Sequence, residues 1–219
     1  IGHSARDTFE MLEKSGVPME AKPFSMGARI EHKQENINLA QYGESGGTLP
    51  AADYSLNVHL PDGTSAYTFC MCPGGEVIAA ASEPGGVCTN GMSNSRRDAE
   101  NANSALLVTL QPEDFPCDGP LGGMYWQREL EQAAFRAGGG DYHAPAQLVG
   151  DFLAHRASQQ AGGVMPTYRP GVKFCALHDV LPERITSVLE QALPELDKRL
   201  HGFARADAVM TAPETRSSS

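Results

Sequence analysis

The chain has 219 residues, 41% of them apolar and 20% charged, with a formal net charge of −10. That is enough for one large domain or two small ones, and the acidity argues against wholesale binding to nucleic acid or an anionic membrane. No apolar stretch reaches the length of a bilayer span, the first residues lack the regions of a signal peptide, and an odd count of five cysteines suits a reducing compartment, so the chain is expected to be cytoplasmic.

The chain opens on "IGHSARDTFEML". Ser4 and Asp7 form a short version of the capping box, and Ala5, Thr8, Phe9 and Leu12 share a helical stripe. Gly16 takes the C′ position, so a helix is predicted over 4–15. A helix entered from Ile-Gly follows a strand in an α/β unit, so the chain reads as a piece cut from a longer one. Phe24, Met26, Ala28 and Ile30 alternate with Ser25, Gly27, Arg29 and Glu31, which predicts a strand over 25–31. "QENINLAQYGESGG" reads as a short helix followed by a flexible loop. "DYSLNVHL" and "SAYTFCMC", joined by "PDGT", read as a hairpin. "EVIAAAS" is expected to pair back as a third strand, "EPGGVCTNGMSNS" to form a loop system, and "SALLVTL" to be a buried strand.

Two amphipathic helices follow, over 125–137 and 182–193. The first places Trp126, Leu130, Ala133 and Ala137 on one face and stops at the glycine run from Gly138. The second has Pro182 in its first turn and a stripe of Ile185, Val188, Leu189, Ala192 and Leu196. Pro194 is expected to end or kink it. "ASQQAGGVMPTYRPG" is linker-like, and a last strand is predicted over 208–211.

Cys70 and Cys72 form a C-x-C pair. On a regular strand their side chains share a face. A dithiol role strains disulfide geometry, and a zinc site needs two more ligands, for which Cys88 and His59 are the nearest candidates. Buried structural thiols are the simpler reading, and no metal site is assigned. The loop around Gly85, Gly86, Thr89 and Asn90 suits either close backbone approach to a ligand or ordinary turns. Asn101 and Asn103, before the buried strand, read as turn residues, with amide recognition of a ligand as the alternative. The seven histidines show no catalytic spacing. His3, on the turn into a helix N-terminus, is the one retained as a candidate.

Several blocks carry a resemblance: "IGHSARDTFEML", "SMGARIEH", "FCMCPGGEVIAAASEPGGVCTNGMS", "NANSALLV", "YRPGV" and "ETRSSS". In this order they resemble the signature blocks of uncharacterised bacterial FAD-dependent dehydrogenases, a group of NAD(P)/FAD-dependent oxidoreductases. The resemblance implies a domain inserted into a split Rossmann-type FAD-binding fold. Residues 1–24 would be a remnant of the FAD-binding domain, 25–205 the inserted substrate or cap domain, and 206–219 the return segment. It also implies FAD in the parent protein, contacted near Gly2, His3, Ser4, Glu214, Thr215 and Arg216, and not retained by this chain alone. Gly74, Gly75, Gly85, Gly86, Thr89, Asn90, Asn101 and Asn103 would face the flavin or a small-molecule substrate, with Cys70 and Cys72 as catalytic candidates. The expected partner is the remainder of the same chain, with no nucleic acid and no membrane. The fold expected is α+β, a mixed or antiparallel sheet with packed helices. The alternative function is a non-catalytic binding module that recruits a partner or macromolecular substrate to a flavoprotein.

Overall fold

The computed structural model describes residues 2–44 and 49–216. The loop expected after the second helix includes residues 45–48, which lie outside the described residues. The chain forms helix α1 (Arg6–Lys14), strand β1 (Phe24–Lys33), helix α2 (Gln34–Tyr42) and a hairpin of β2 (Asn57–His59) and β3 (Ser65–Cys72). A ribbon of β4 (Gly75–Ala79) and β5 (Thr89–Ser93) precedes β6 (Asn101–Leu110) and helix α3 (Gly122–Gly138). Strand β7 (Ala144–Leu148), helix α4 (Val149–Leu153), strand β8 (Val172–Phe174), helix α5 (Glu183–Asp197) and strand β9 (Val209–Glu214) complete it.

Seven strands form one sheet in the order β2-β3-β6-β1-β9-β7-β8. Every pair is antiparallel except β7 with β8. The fold is therefore α+β. One sheet face is apolar: Met26, Ala28, Ile30, Leu106, Val108 and Met210 pack into one cluster with Ile185, Val188, Leu189, Ala192 and Leu196 of α5. The predicted α5 stripe is thus the stripe that is buried, and it supplies the main hydrophobic driving force. The other face carries Arg29, Glu31, Asn103 and Thr211, all fully buried under the β4–β5 ribbon, α3 and the segment 164–168.

Several expectations change. The strand predicted over 25–31 forms and runs from Phe24 to Lys33, with 25–32 all buried because both sheet faces are covered. Strand β4 does not pair with β3; it pairs with β5, in a separate two-stranded sheet, so part of the supposed loop system is strand. The α3 stripe runs through Trp126, Leu130, Glu131, Ala134 and Gly138, one residue off the prediction at its C-terminal half. Pro194 lies inside α5, which continues to Asp197. Ser4 caps nothing: α1 starts at Arg6 after Ala5, with no side-chain cap. Its other end follows the prediction. Gly16, at φ +74°, donates to the Glu13 carbonyl while Val17 donates to Leu12, a Schellman ending.

Candidate functional site

Two bulges shape the buried polar face. Between Phe69↔Ala105 and Cys72↔Asn103, β3 spends three residues where β6 spends two. Cys70 takes a φ of +46° to do so. The bulge turns the Phe69 and Cys70 carbonyls toward the Arg29 guanidinium, whose Nη1 donates to them at 3.4 and 2.9 Å. It also separates the two thiols: Cys70 is exposed and Cys72 buried, so the shared face expected of a C-x-C pair does not form. On the other side, β1 and β9 pair Gly27 with Glu214 and Arg29 with Thr211, again two residues against three. That extra residue brings Glu214 onto the Arg29 face, a local re-aiming that bulges perform.

Arg29 is the hub. Its Nε lies 3.3 Å from Glu214 Oε2 as an ion pair, without a well-aligned hydrogen bond. Its Nη2 donates to Asn90 Oδ1 at 3.1 Å. Gly91 lies over the group: a Cβ there would stand 2.6 Å from Arg29 Nη2 and 2.3 Å from Asn103 Oδ1, so only glycine allows the approach. Neither side-chain polar atom of Asn103 has a hydrogen-bond partner among the described residues. Burial pushes the Glu214 carboxyl up to about 7, against the pull of Arg29, Thr89 and Arg216. Nearby, Thr89 Oγ1 donates to the Pro213 carbonyl at 2.9 Å and to Glu214 Oε2 at 3.3 Å.

A second ionic network joins the two ends of the chain. Arg6 on α1 donates to both oxygens of Glu131 on α3, at 3.0 and 2.7 Å, and to Glu83 at 2.6 Å. Thr215 Oγ1 donates to Glu131 Oε1 at 2.5 Å. Burial alone would raise the Glu131 carboxyl, but hydrogen bonds from His3, Arg6 and Thr215 hold it below its usual value. Glu83 is drawn down to about 2, chiefly by Arg128. His3 Nε2 contacts Glu131 at 3.1 Å and Arg6 at 2.9 Å, while His3 Nδ1 is buried without a partner among the described residues.

The two networks border an open cleft of about 360 Å3, lined by Gly2, His3, Phe69, Cys70, Asn90, Glu214 and Arg216. Of the residues singled out from the sequence, Gly2, His3, Cys70, Asn90, Glu214 and Arg216 meet here. The rest do not line it. Ser4 is exposed and caps nothing. Thr215 and Thr89 are buried behind the wall. Gly74 and Gly75 line a different hollow beside Met92 and Asn94. Gly85 lies on the surface, and Gly86 packs near Glu131. Asn101 does not form a turn; it starts β6 and donates to Glu31 and to the Met165 carbonyl. Asn103 lies under Gly91, inside the strand. Burial raises the Cys72 thiol to about 11, which keeps it protonated at neutral pH. Sequence reasoning missed Arg6, Arg29, Gly91 and Glu131. The available signal was a charged pair, Arg29 and Glu31, on one side of a strand whose neighbours are small or apolar.

The family described as "FAD-dependent protein, C-terminal domain-like" matches residues 23–217. The chain belongs to this family. An uncharacterized protein of Clostridium beijerinckii is 50% identical over 221 aligned residues, which cover all of this chain and 42% of that protein. The chain therefore spans less than half the length of that relative. Its match makes it a domain of a flavoprotein family, and FAD is the cofactor that this family description attaches to the parent protein. Among the described residues no helix is long and apolar enough to cross a membrane.

Proposed function

We propose that this FAD-dependent family domain is the substrate-facing cap of a flavin-dependent oxidoreductase of the dehydrogenase type, and that the cleft is its border with the flavin. The observation that carries this reading is convergence. Residues 2–3 and 214–216, far apart in sequence, reach one cleft together with the bulge at Cys70 and with Asn90. The lining fits a polar ring edge or an anionic substituent: the Arg216 guanidinium is exposed at the cleft, and His3 Nδ1 at the rim has no partner among the described residues. Small-molecule sites occupy about 300–1,000 Å3, so this cleft suits one ring system or small substrate rather than a whole dinucleotide. The remainder of the parent chain would hold the rest of the FAD.

Bound flavin supplies hydride transfer. The residues of this chain supply position and protons. Arg29 fixes the carbonyls of the Cys70 bulge and the side chain of Asn90. Glu214, on the cleft wall, holds a proton close to neutral pH and can exchange it with a bound substrate. The Arg6–Glu131 pair holds His3 at the rim.

The test is a visible absorption spectrum of this chain and of a longer parent chain, each purified and offered FAD. Flavin in the parent and none in this chain is the expected result. Flavin on this chain alone would place the cofactor site wholly inside these residues and overturn the border reading. A parent that stays colourless would put the non-catalytic binding module in its place.

A further inference from the structure

The histidines look scattered in sequence, yet two of them meet. His155 follows α4, His178 lies on the short 3-10 turn before α5, and Glu190 is on α5. Among the described residues this is the one group of three ligand-type side chains whose donor atoms all lie within 4.8 Å of one another. Both imidazole Nε2 atoms converge on the same oxygen, Glu190 Oε1, at 3.2 Å from His155 and 2.5 Å from His178. The two rings stack 4.6 Å apart, and the inner face of His178 stacks on the buried Phe152 at 4.5 Å.

We propose that His155, His178 and Glu190 form a binding site for a zinc-class divalent ion, which clips the end of α4 and the 3-10 turn to α5. Three features support it. First, two imidazoles and one carboxylate are a borderline donor set that favours Zn2+ and its neighbours over Mg2+. Tetrahedral zinc, with ligand bonds of about 2.0–2.2 Å, separates neighbouring donor atoms by about 3.3 Å. The His155–Glu190 spacing, 3.2 Å, is close to that value, and the His178–Glu190 spacing, 2.5 Å, has to open by under 1 Å to reach it. Second, both Nε2 atoms already face the carboxylate, the orientation a shared ion requires. Without an ion, two neutral rings can each donate to a lone pair of Glu190 Oε1, whereas two imidazolium rings stacked at 4.6 Å repel. A dication satisfies all three donors together. Third, the nearest arginine in sequence does not compete: Arg156 donates to Asp151 at 2.7 Å. Three protein ligands leave a coordination position for water, and His155, 64% exposed, keeps the site open to solvent.

The site lies on the α5 side of the sheet and does not depend on the cleft reading. The experiment is isothermal titration of the metal-stripped chain with Zn2+, repeated with Mg2+. One Zn2+ should bind, with Mg2+ far weaker. His155→Ala and Glu190→Gln should weaken Zn2+ by more than about tenfold. His155→Ala puts alanine at a φ of +50° and removes a ring stacked on His178, so its own melting temperature without metal is the baseline against which Zn2+ is read. Zn2+ should raise the melting temperature of the parent and not of this variant. Co2+ should give visible bands without a thiolate charge-transfer band, since five free cysteines offer the competing sites. Equal Zn2+ affinity in the parent and His155→Ala, or a thiolate band with Co2+, would overturn the proposal. So would failure to bind Zn2+ at all.

Discussion

At the scale of single residues, the polar face is governed by Arg29 and Glu214, a buried pair that lacks an aligned hydrogen bond between its partners. A pair of this kind contributes less to stability than to position, because desolvation offsets much of the attraction. Its signature is a pH dependence of known sign. Glu214 ordinarily titrates near 4.5, and in the fold it titrates near 7. Between these values the native chain holds a proton that the unfolded chain has released. Stability from this group is therefore full below pH 4.5 and is lost as the pH rises to 7, by on the order of 1–3 kcal/mol. His32, buried and drawn down to about 4, works in the opposite direction over an overlapping range. The informative quantity is thus a difference between proteins. Glu214→Gln should gain stability relative to the parent as pH goes from 4.5 to 7.5 in urea unfolding. A difference that does not change with pH would refute the assignment.

Elements are held by the same kind of chemistry. Helix α1 presents a buried arginine, not an apolar stripe, to the body of the protein: Arg6 is 1% exposed and answers Glu131 on α3. Removing one partner of a buried pair strands the other charge, at a cost of about 3–5 kcal/mol. Arg6→Ala should lose stability near the lower end of that range, because His3 and Thr215 still contact Glu131. Urea unfolding measures it, and a loss under about 1 kcal/mol would mean that α1 is not anchored here. The elements also show what was legible. Helix α5, the β2–β3 hairpin and the Gly16 ending were readable because periodicity and turn chemistry act locally. The bulges were not. A positive φ at Cys70 is a cost that tertiary contacts impose, and nothing in the type of residue announces it. Period-two reasoning therefore assigned both thiols to one face. The pairing of β4 with β5 was missed for a related reason: chain order favours the neighbouring strand, while the ribbon is needed as a cover for Arg29 and Asn103.

For the molecule as a whole, the sequence indicated which stretches mattered before it indicated how they met. Six of the singled-out residues share one cleft, and the ten others, Cys72 and Ser4 among them, lie behind it or elsewhere, because they order the walls or serve other turns. The cleft makes the whole-molecule prediction concrete. Cys70 and Cys117 are exposed, whereas Cys72 and Cys88 are buried with thiols pushed up to about 11 by burial. An alkylating reagent attacks accessible thiolates, so brief labelling of this chain should mark Cys70 and Cys117 and spare Cys72 and Cys88. In the flavin-loaded parent the cap reading places Cys70 against the cofactor domain, while Cys117 lies outside the cleft. Labelling of Cys70 should then fall several-fold and that of Cys117 should hold, as read by peptide mass spectrometry. Equal labelling of Cys70 in both proteins would leave the cleft facing solvent in the assembled flavoprotein, and the border with the flavin would have to lie on another surface.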